Sequence, residues 1–391
     1  MIALRLAFKN IIGAGVRTWL NVFVLSAAYV MIIWVQGMIA GMDRAIVRAK
    51  IDYEIAGGQF WHPSYDPYDP LTFEESHGAP PRALEDLVSL GKATPILLAT
   101  GAIYPQGRQQ SAILCGIDPG QRILELPTSS LSDPSDGITP AMIGVQLARE
   151  TGLQEGNDLT VRWRSASGTF DAAEVRIIRV VDIGVPGVER GVIWIALGEL
   201  REMLGMSGEA SYLVAAQNLG PPPPEIGDWL WRDVDYLSRD IVELVRMKSR
   251  GSYIFYGLML FMGLLAVFDT QVLAIWHRRR EIGTLMALGM ERTTVIGLFT
   301  LEGALHGVLA LAVGATYGIP ILSWTLARGL PVPTMMGGMG MPVPHVLYPF
   351  YGVRLLVGTT ILIVASVTVV SAMPASRIAR LKPTDALRGK A

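Results

Sequence analysis

WLNVFVLSAAYVMIIWVQGMIA, residues 19–40, runs for 22 positions without a charged side chain. A helix that crosses a bilayer takes about 20 mostly apolar residues, and helices buried in soluble cores seldom stay charge-free for so long. Three further runs have the same character. YIFYGLMLFMGLLAVFDTQVLAIW, residues 253–276, carries one acid, Asp269. Residues 295–327 are apolar apart from Glu302 and His306, and residues 353–374 carry no charge from Leu355 onward. Arg5, Lys9 and Arg17 precede the first run, whose apolar core is longer than that of a cleaved secretory signal, so it reads as an uncleaved signal-anchor. Residues 1–18 then form a short interfacial segment on the cytoplasmic side.

Composition agrees: 51% of residues are apolar, 17% are charged and the mean hydropathy is +0.38, against about 25% charged in an ordinary globular domain. The charges are segregated. Arg5, Lys9 and Arg17, then Arg278, Arg279, Arg280 and Arg292, then Arg377, Arg380, Lys382, Arg388 and Lys390 face only three acids, Glu281, Glu291 and Asp385. The positive-inside rule puts residues 1–18, 277–294 and 375–391 in the cytoplasm. Residues 41–250 reverse the balance, with 19 basic against 29 acidic residues, and fall outside with the short loop 328–352. The expected fold is a membrane α-helical protein of four transmembrane helices, with an extracytoplasmic α+β domain inserted between helices 1 and 2.

Within 41–250, DLTVRW (158–163), EVRIIRVVDI (174–183) and VIWIAL (192–197) alternate like strands, while PRALEDLVSL (81–90) and LGELREMLGM (197–206) read as helices. Pro221–Pro224 form a stiff stretch. WLWRDVDYLSRDIVELVRMKSR (229–250) reads as an amphipathic helix leading into the second span. WHPSYDPYDP (61–70), with His62, Asp66, Asp69 and the later His77, reads as a turn-rich loop rather than a metal site, because Asp and Tyr between prolines are turn formers. Cys115 is the one cysteine, so no intrachain disulfide is possible. The five histidines are scattered on both sides of the membrane, and no catalytic constellation or G-x-x-x-x-G-K-[ST] phosphate loop is present. No metal or nucleic acid is expected to bind.

In HRRREIGTLMALGMERTTVIGLFTLEGALHG (277–307), Glu281 lies within a turn of Arg278, and Ile282, Leu285, Met286 and Leu288 make an apolar stripe at helical spacing. Such a helix can enter a groove on another protein or lie at the interface with its arginines on lipid phosphates. Asp269, Glu302 and His306 are polar at membrane depth, where such groups face protein or water. They read as structural contacts or, less simply, as a proton relay. Gly37 and Gly41, Gly303 and Gly307, and Gly314 and Gly318 make GxxxG pairs suited to close helix packing, including packing between two chains. The outer loop carries Met335, Met336, Met339, Met341 and His345, an adaptable apolar surface or a soft-metal set.

The Arg-Arg-Glu-Ile-Gly and Leu-x-Ala-Leu-Gly elements, Leu301-Glu302-Gly303, the ending PASRIARLKPTDALRGK (374–390) and MIGVQLARETGLQEGNDLTV (142–161) together resemble the FtsX/MacB-type ABC permeases over most of the chain. The resemblance implies a permease subunit in the bacterial inner membrane that works by mechanotransmission. It implies an ATPase on a separate polypeptide, which binds the ATP and Mg, and a second permease, the same or homologous. Arg278, Arg279, Arg280, Glu281, Ile282, Gly283, Leu285, Ala287, Leu288 and Gly289 would then form the coupling helix for that ATPase. Membrane lipids and a lipoprotein or other amphiphile released at the outer face are the expected partners. Drug or peptide efflux, and signalling to a cell-wall hydrolase or sensor, are the rival expectations.

Overall fold

A computed structural model describes residues 16–132, 137–183, 191–220, 222, 225–277, 283–284, 286–331 and 346–379. The chain forms two compact units, Met1–Met42 with Val245–Leu330 and Val346–Ala391, and Asp43–Leu244 with Pro331–His345. In chain order the elements are α1 (Val16–Lys50), β1 (Gln59–Trp61), α2 (Arg82–Ser89), β2 (Ala93–Ile103), β3 (Gln110–Ile117), β4 (Thr139–Gly144), α3 (Val145–Thr151) and β5 (Asp158–Arg164). They continue with β6 (Phe170–Val181), β7 (Val192–Ala196), α4 (Leu197–Leu204), β8 (Tyr212–Ala215), β9 (Glu225–Ile226), β10 (Trp229–Arg232), α5 (Val234–His277), α6 (Arg292–Arg328) and α7 (Val353–Ala379).

Among the described residues four helices, α1, α5, α6 and α7, are long and apolar enough to cross a membrane. Between the first and second of them lies a domain built on a ten-stranded mixed sheet. The four-helix, inserted-domain fold expected from the sequence is therefore the fold observed.

The sheet contains a closed circuit. β2 pairs with β3, and the order β3-β7-β4-β6-β5 returns to β2, while β8, β1, β10 and β9 extend from the Ala93–Ile96 end of β2. In β5 the alternation is regular: Leu159, Val161 and Trp163 are buried and Asp158, Thr160, Arg162 and Arg164 are exposed. β2, β3, β4 and β7 are instead buried on both faces, which is why they read as unbroken apolar runs. One face packs Leu97, Leu114, Ile143, Val161 and Ile195 under α3 and α4, through Leu147, Leu200 and Leu204. The alternate residues Leu98, Cys115, Met142, Trp194 and Tyr212 fill a second core. In the parallel pair β4–β6 the register shifts between Ala141 and Met142, which face Ile177 and Arg179. The extra residue, Ile178, is a bulge that reverses the phase of β6. Val175 and Ile177 therefore join the first core and Val181 the second.

One expectation is corrected. Trp229–Arg232 is a strand, pairing with β1 and β9, and not the start of the helix. Trp-Leu-Trp favours a pleated surface, and Asp233 begins the helix instead, its carboxylate accepting the Tyr236 N–H at 2.7 Å. The proline stretch at 221–224 lies outside the described residues except for Pro222.

Candidate coupling segment and membrane polar sites

α5 ends at His277, and the chain returns to the membrane at α6. Arg278, Arg279, Arg280, Glu281, Ile282 and Leu285 lie outside the described residues. The rest of the segment is a short helical piece. The Leu288 N–H bonds to the Thr284 carbonyl at 3.0 Å, and Gly289 N–H to Met286 at 3.2 Å. Gly289 stops the piece at φ 95°, a conformation that glycine adopts without strain. Met286 and Met290 pack against the cluster formed by Val295 and Phe299 of α6 with Ala375 of α7. Gly283 is buried, Ala287 is exposed, and Leu288 is 80% exposed. The segment is thus held by its methionines against two membrane helices while it presents a bare leucine outward.

Glu302 and His306 are both buried on α6. The contact between them runs through the backbone: His306 Nδ1 donates to the Glu302 carbonyl at 2.7 Å. Asp269 stands apart from them, exposed on α5. Sequence reasoning passed over neutral polar side chains that do more of the joining. Ser26 Oγ meets Tyr317 OH at 3.0 Å, linking α1 to α6. Tyr29 OH meets Thr360 Oγ1 at 2.9 Å, and Thr359 Oγ1 donates to Gln36 Oε1 at 2.8 Å, linking α1 to α7. Gln271 of α5 and Ser371 of α7 are buried around Gly303 of α6. Hydrogen bonds between membrane helices are typically worth about 0.6 kcal/mol each, up to about 2. A polar residue inside each apolar run was the available signal.

The glycine pairs all face neighbours in their own chain. Gly303 and Gly307 meet Ser371 and Val367 of α7, and Gly314 and Gly318 meet Tyr29 and Val30 of α1. Gly37 and Gly41 receive the segment 348–351, where the Phe350 N–H bonds to the Gly37 carbonyl at 2.8 Å. None of the six is left for packing against another chain. The methionine and histidine positions 335–345 lie outside the described residues.

In the inserted domain, Asp66 and Asp69 accept the N–H groups of Tyr68 and Leu71 at 2.9 and 3.0 Å, the Asx turns expected of such a loop. His77 Nδ1 contacts Glu209, and His62 stacks edge-on against Trp229. Among the described residues no three His, Cys, Asp or Glu side chains converge as a metal site. Burial, with Glu54 adding to it, pushes the Cys115 thiol up to about 12, so it is not a reactive thiolate.

Residues 253–383 match the family described as "FtsX-like permease C-terminal". That match spans the second, third and fourth membrane helices and supports a permease of the FtsX/MacB type of ABC transporter. It is 22% identical over 254 residues to the "Lipoprotein-releasing system transmembrane protein LolC" of Neisseria meningitidis serogroup B, covering 60% of this chain and 61% of that protein. It is 21% identical over 269 residues to the LolC of Xylella fastidiosa strain Temecula1, covering 61% and 64%. The chain thus spans less than two thirds of the length of these relatives.

Among solved structures, the periplasmic region of MacB from Actinobacillus actinomycetemcomitans aligns at 10% identity and TM-score 0.33, over 49% of this chain and 95% of that one. The extracellular domain of the transporter YknZ from Gram-positive bacteria aligns at 14% and 0.26, over 42% and 84%. Both scores are low.

Proposed function

We propose that this chain is the membrane subunit of a mechanotransmission machine in the bacterial inner membrane. A separate ABC ATPase, which binds the ATP and Mg, drives it through residues 278–289. Both termini are cytoplasmic and the inserted domain stands in the periplasm, where its movement releases a lipoprotein or another amphiphile from the outer leaflet. The machine holds two permeases, each with its ATPase. The observation that carries this reading is the coupling segment: a helical piece between α5 and α6, packed by Met286 and Met290 onto α6 and α7, with Leu288 bare. The LolC relatives support the choice of lipoprotein as substrate.

The test is affinity purification of the tagged full-length chain from its native membranes, followed by mass spectrometry and an ATPase assay. An ABC ATPase and an acylated protein are expected to co-purify. Leu288→Asp should release the ATPase while the permease still elutes as a folded species. An intact permease with no ATPase, or an ATPase retained by Leu288→Asp, would overturn the coupling reading. Recovery of the ATPase with unacylated cargo only would leave the machine but remove lipoprotein as its substrate.

A further inference from the structure

An open cleft of about 270 Å³ lies within the inserted domain, between segment 73–77, the end of β5 and the end of α4. Phe73, Leu204 and Met206 supply its apolar lining, and all three are buried. Both walls are anchored without any ligand. The Ala166 N–H bonds to the Leu204 carbonyl at 2.9 Å and Trp163 Nε1 donates to the Met203 carbonyl at 2.8 Å, which pins the β5–β6 turn to α4. On the other side His77 Nε2 donates to the Glu74 carbonyl at 3.1 Å, while Nδ1 contacts Glu209. A preformed apolar hollow with a few placed charges is how small-molecule sites are built, and this one lies just under the roughly 300 Å³ at which drug-sized ligands begin to fit. Its occupant is therefore small.

Two opposite charges line the cleft with bonding capacity to spare. Arg164 gives Nη1 to Glu74 at 2.8 Å and Nε to the Gly168 carbonyl at 3.3 Å, and its Nη2 has no partner among the described residues. Glu75 is exposed and, among the described residues, makes no hydrogen bond or ion pair. The Arg164–Glu74 pair is itself about half exposed, and pairs of that kind contribute little, so it yields to a competing anion. We propose that the cleft binds a small zwitterion with an apolar body, a free α-amino acid or dipeptide. Its carboxylate takes the Arg164 guanidinium, which offers the stronger, charge-assisted bonds. Its ammonium group takes Glu75, and its apolar side chain lies on Phe73, Leu204 and Met206.

The probes are L-leucine and L-leucyl-L-leucine, titrated by calorimetry into the purified full-length chain. At least one should bind at one site per chain, and the tighter of the two identifies the ligand as amino acid or dipeptide. Blocking either end of that probe, by N-acetylation or as the C-terminal amide, should weaken binding by about tenfold. Glu75→Gln and Arg164→Gln, both at exposed positions, should each weaken the unblocked probe to the same degree. Glu85→Gln, exposed on α2 and outside the cleft, should bind as the wild type does. Binding of neither probe would overturn the proposal, as would an affinity that Glu75→Gln and Arg164→Gln leave unchanged. Full affinity for the amide, with loss only on N-acetylation, would make the ligand a simple cation and overturn the zwitterion.

Discussion

A single methyl group at Gly303 should loosen the membrane unit far more than the same methyl one turn later. A Cβ built on Gly303 collides with the Cβ and Oγ of Ser371, a side chain that is wholly buried on α7. A Cβ on Gly307 would lie 3.4 Å from Val367 Cγ1, an ordinary contact. Overpacking a close-packed site costs about 1–3 kcal/mol, and at Gly303 neither partner is the free end of a long side chain that could swing away. At Gly307 the gain in helix propensity, up to about 1 kcal/mol, meets no steric cost. Gly303→Ala should therefore destabilise by about 2 kcal/mol while Gly307→Ala is neutral or mildly stabilising. The decisive variant is the exchange. Ser371→Gly alone should cost about 0.5 kcal/mol of propensity in α7. Combined with Gly303→Ala it should cost little more than that, a coupling energy of about 2 kcal/mol. Thermal unfolding of the detergent-solubilised full-length chain, read by size-exclusion of the surviving folded peak, gives the order of the four variants. Equal loss in Gly303→Ala and Gly307→Ala, or additive loss in the double variant, would show that α6 and α7 do not approach through Gly303.

Two further predictions concern the inserted domain. Asp233→Ala removes the acceptor of the Tyr236 N–H at the start of α5 and should cost about 1 kcal/mol, measured by denaturant unfolding, with Asp233→Ser retaining most of the cap. His62 is held below its usual value by burial, with His77 adding to it, and its Nδ1 accepts the Ser64 N–H at 3.3 Å, as a neutral ring does. A base with a depressed folded-state pKa binds fewer protons folded than unfolded, so its stability contribution is complete above about pH 6.5. That contribution is lost as pH falls through the folded value. The melting temperature of the wild-type chain should accordingly fall on acidification below that point more steeply than that of His62→Gln, and parallel curves would refute the assignment.

What could be read from the chain was whatever leaves a local pattern. The charge-free run at 19–40, the buried-exposed alternation of Asp158–Arg164 and the turn-forming Asp66 and Asp69 are each decided by residues a few positions apart. Asp269, Glu302 and His306 stood out because charge is rare in apolar runs, yet the pattern could not say that two would be buried and one bare. That depends on which side of each helix meets a neighbour. The same limit hid Gln271 and Ser371, neutral side chains from α5 and α7 that close around Gly303 across long stretches of sequence. It also hid the circuit of the sheet, where β3 and β7 pair in parallel although some 75 residues separate them. Trp229–Arg232 failed for a different reason. Its apolar residues fit a helix period as well as a strand, and the choice was made by the open edge of β1, a partner from far back in the chain. The glycine pairs show why motif and partner must be kept apart. Small residues one turn apart say that something comes close, and in this chain the visitor is in turn a helix, another helix and a loop. Once those six positions are filled from within, the motif on its own says nothing of a second chain.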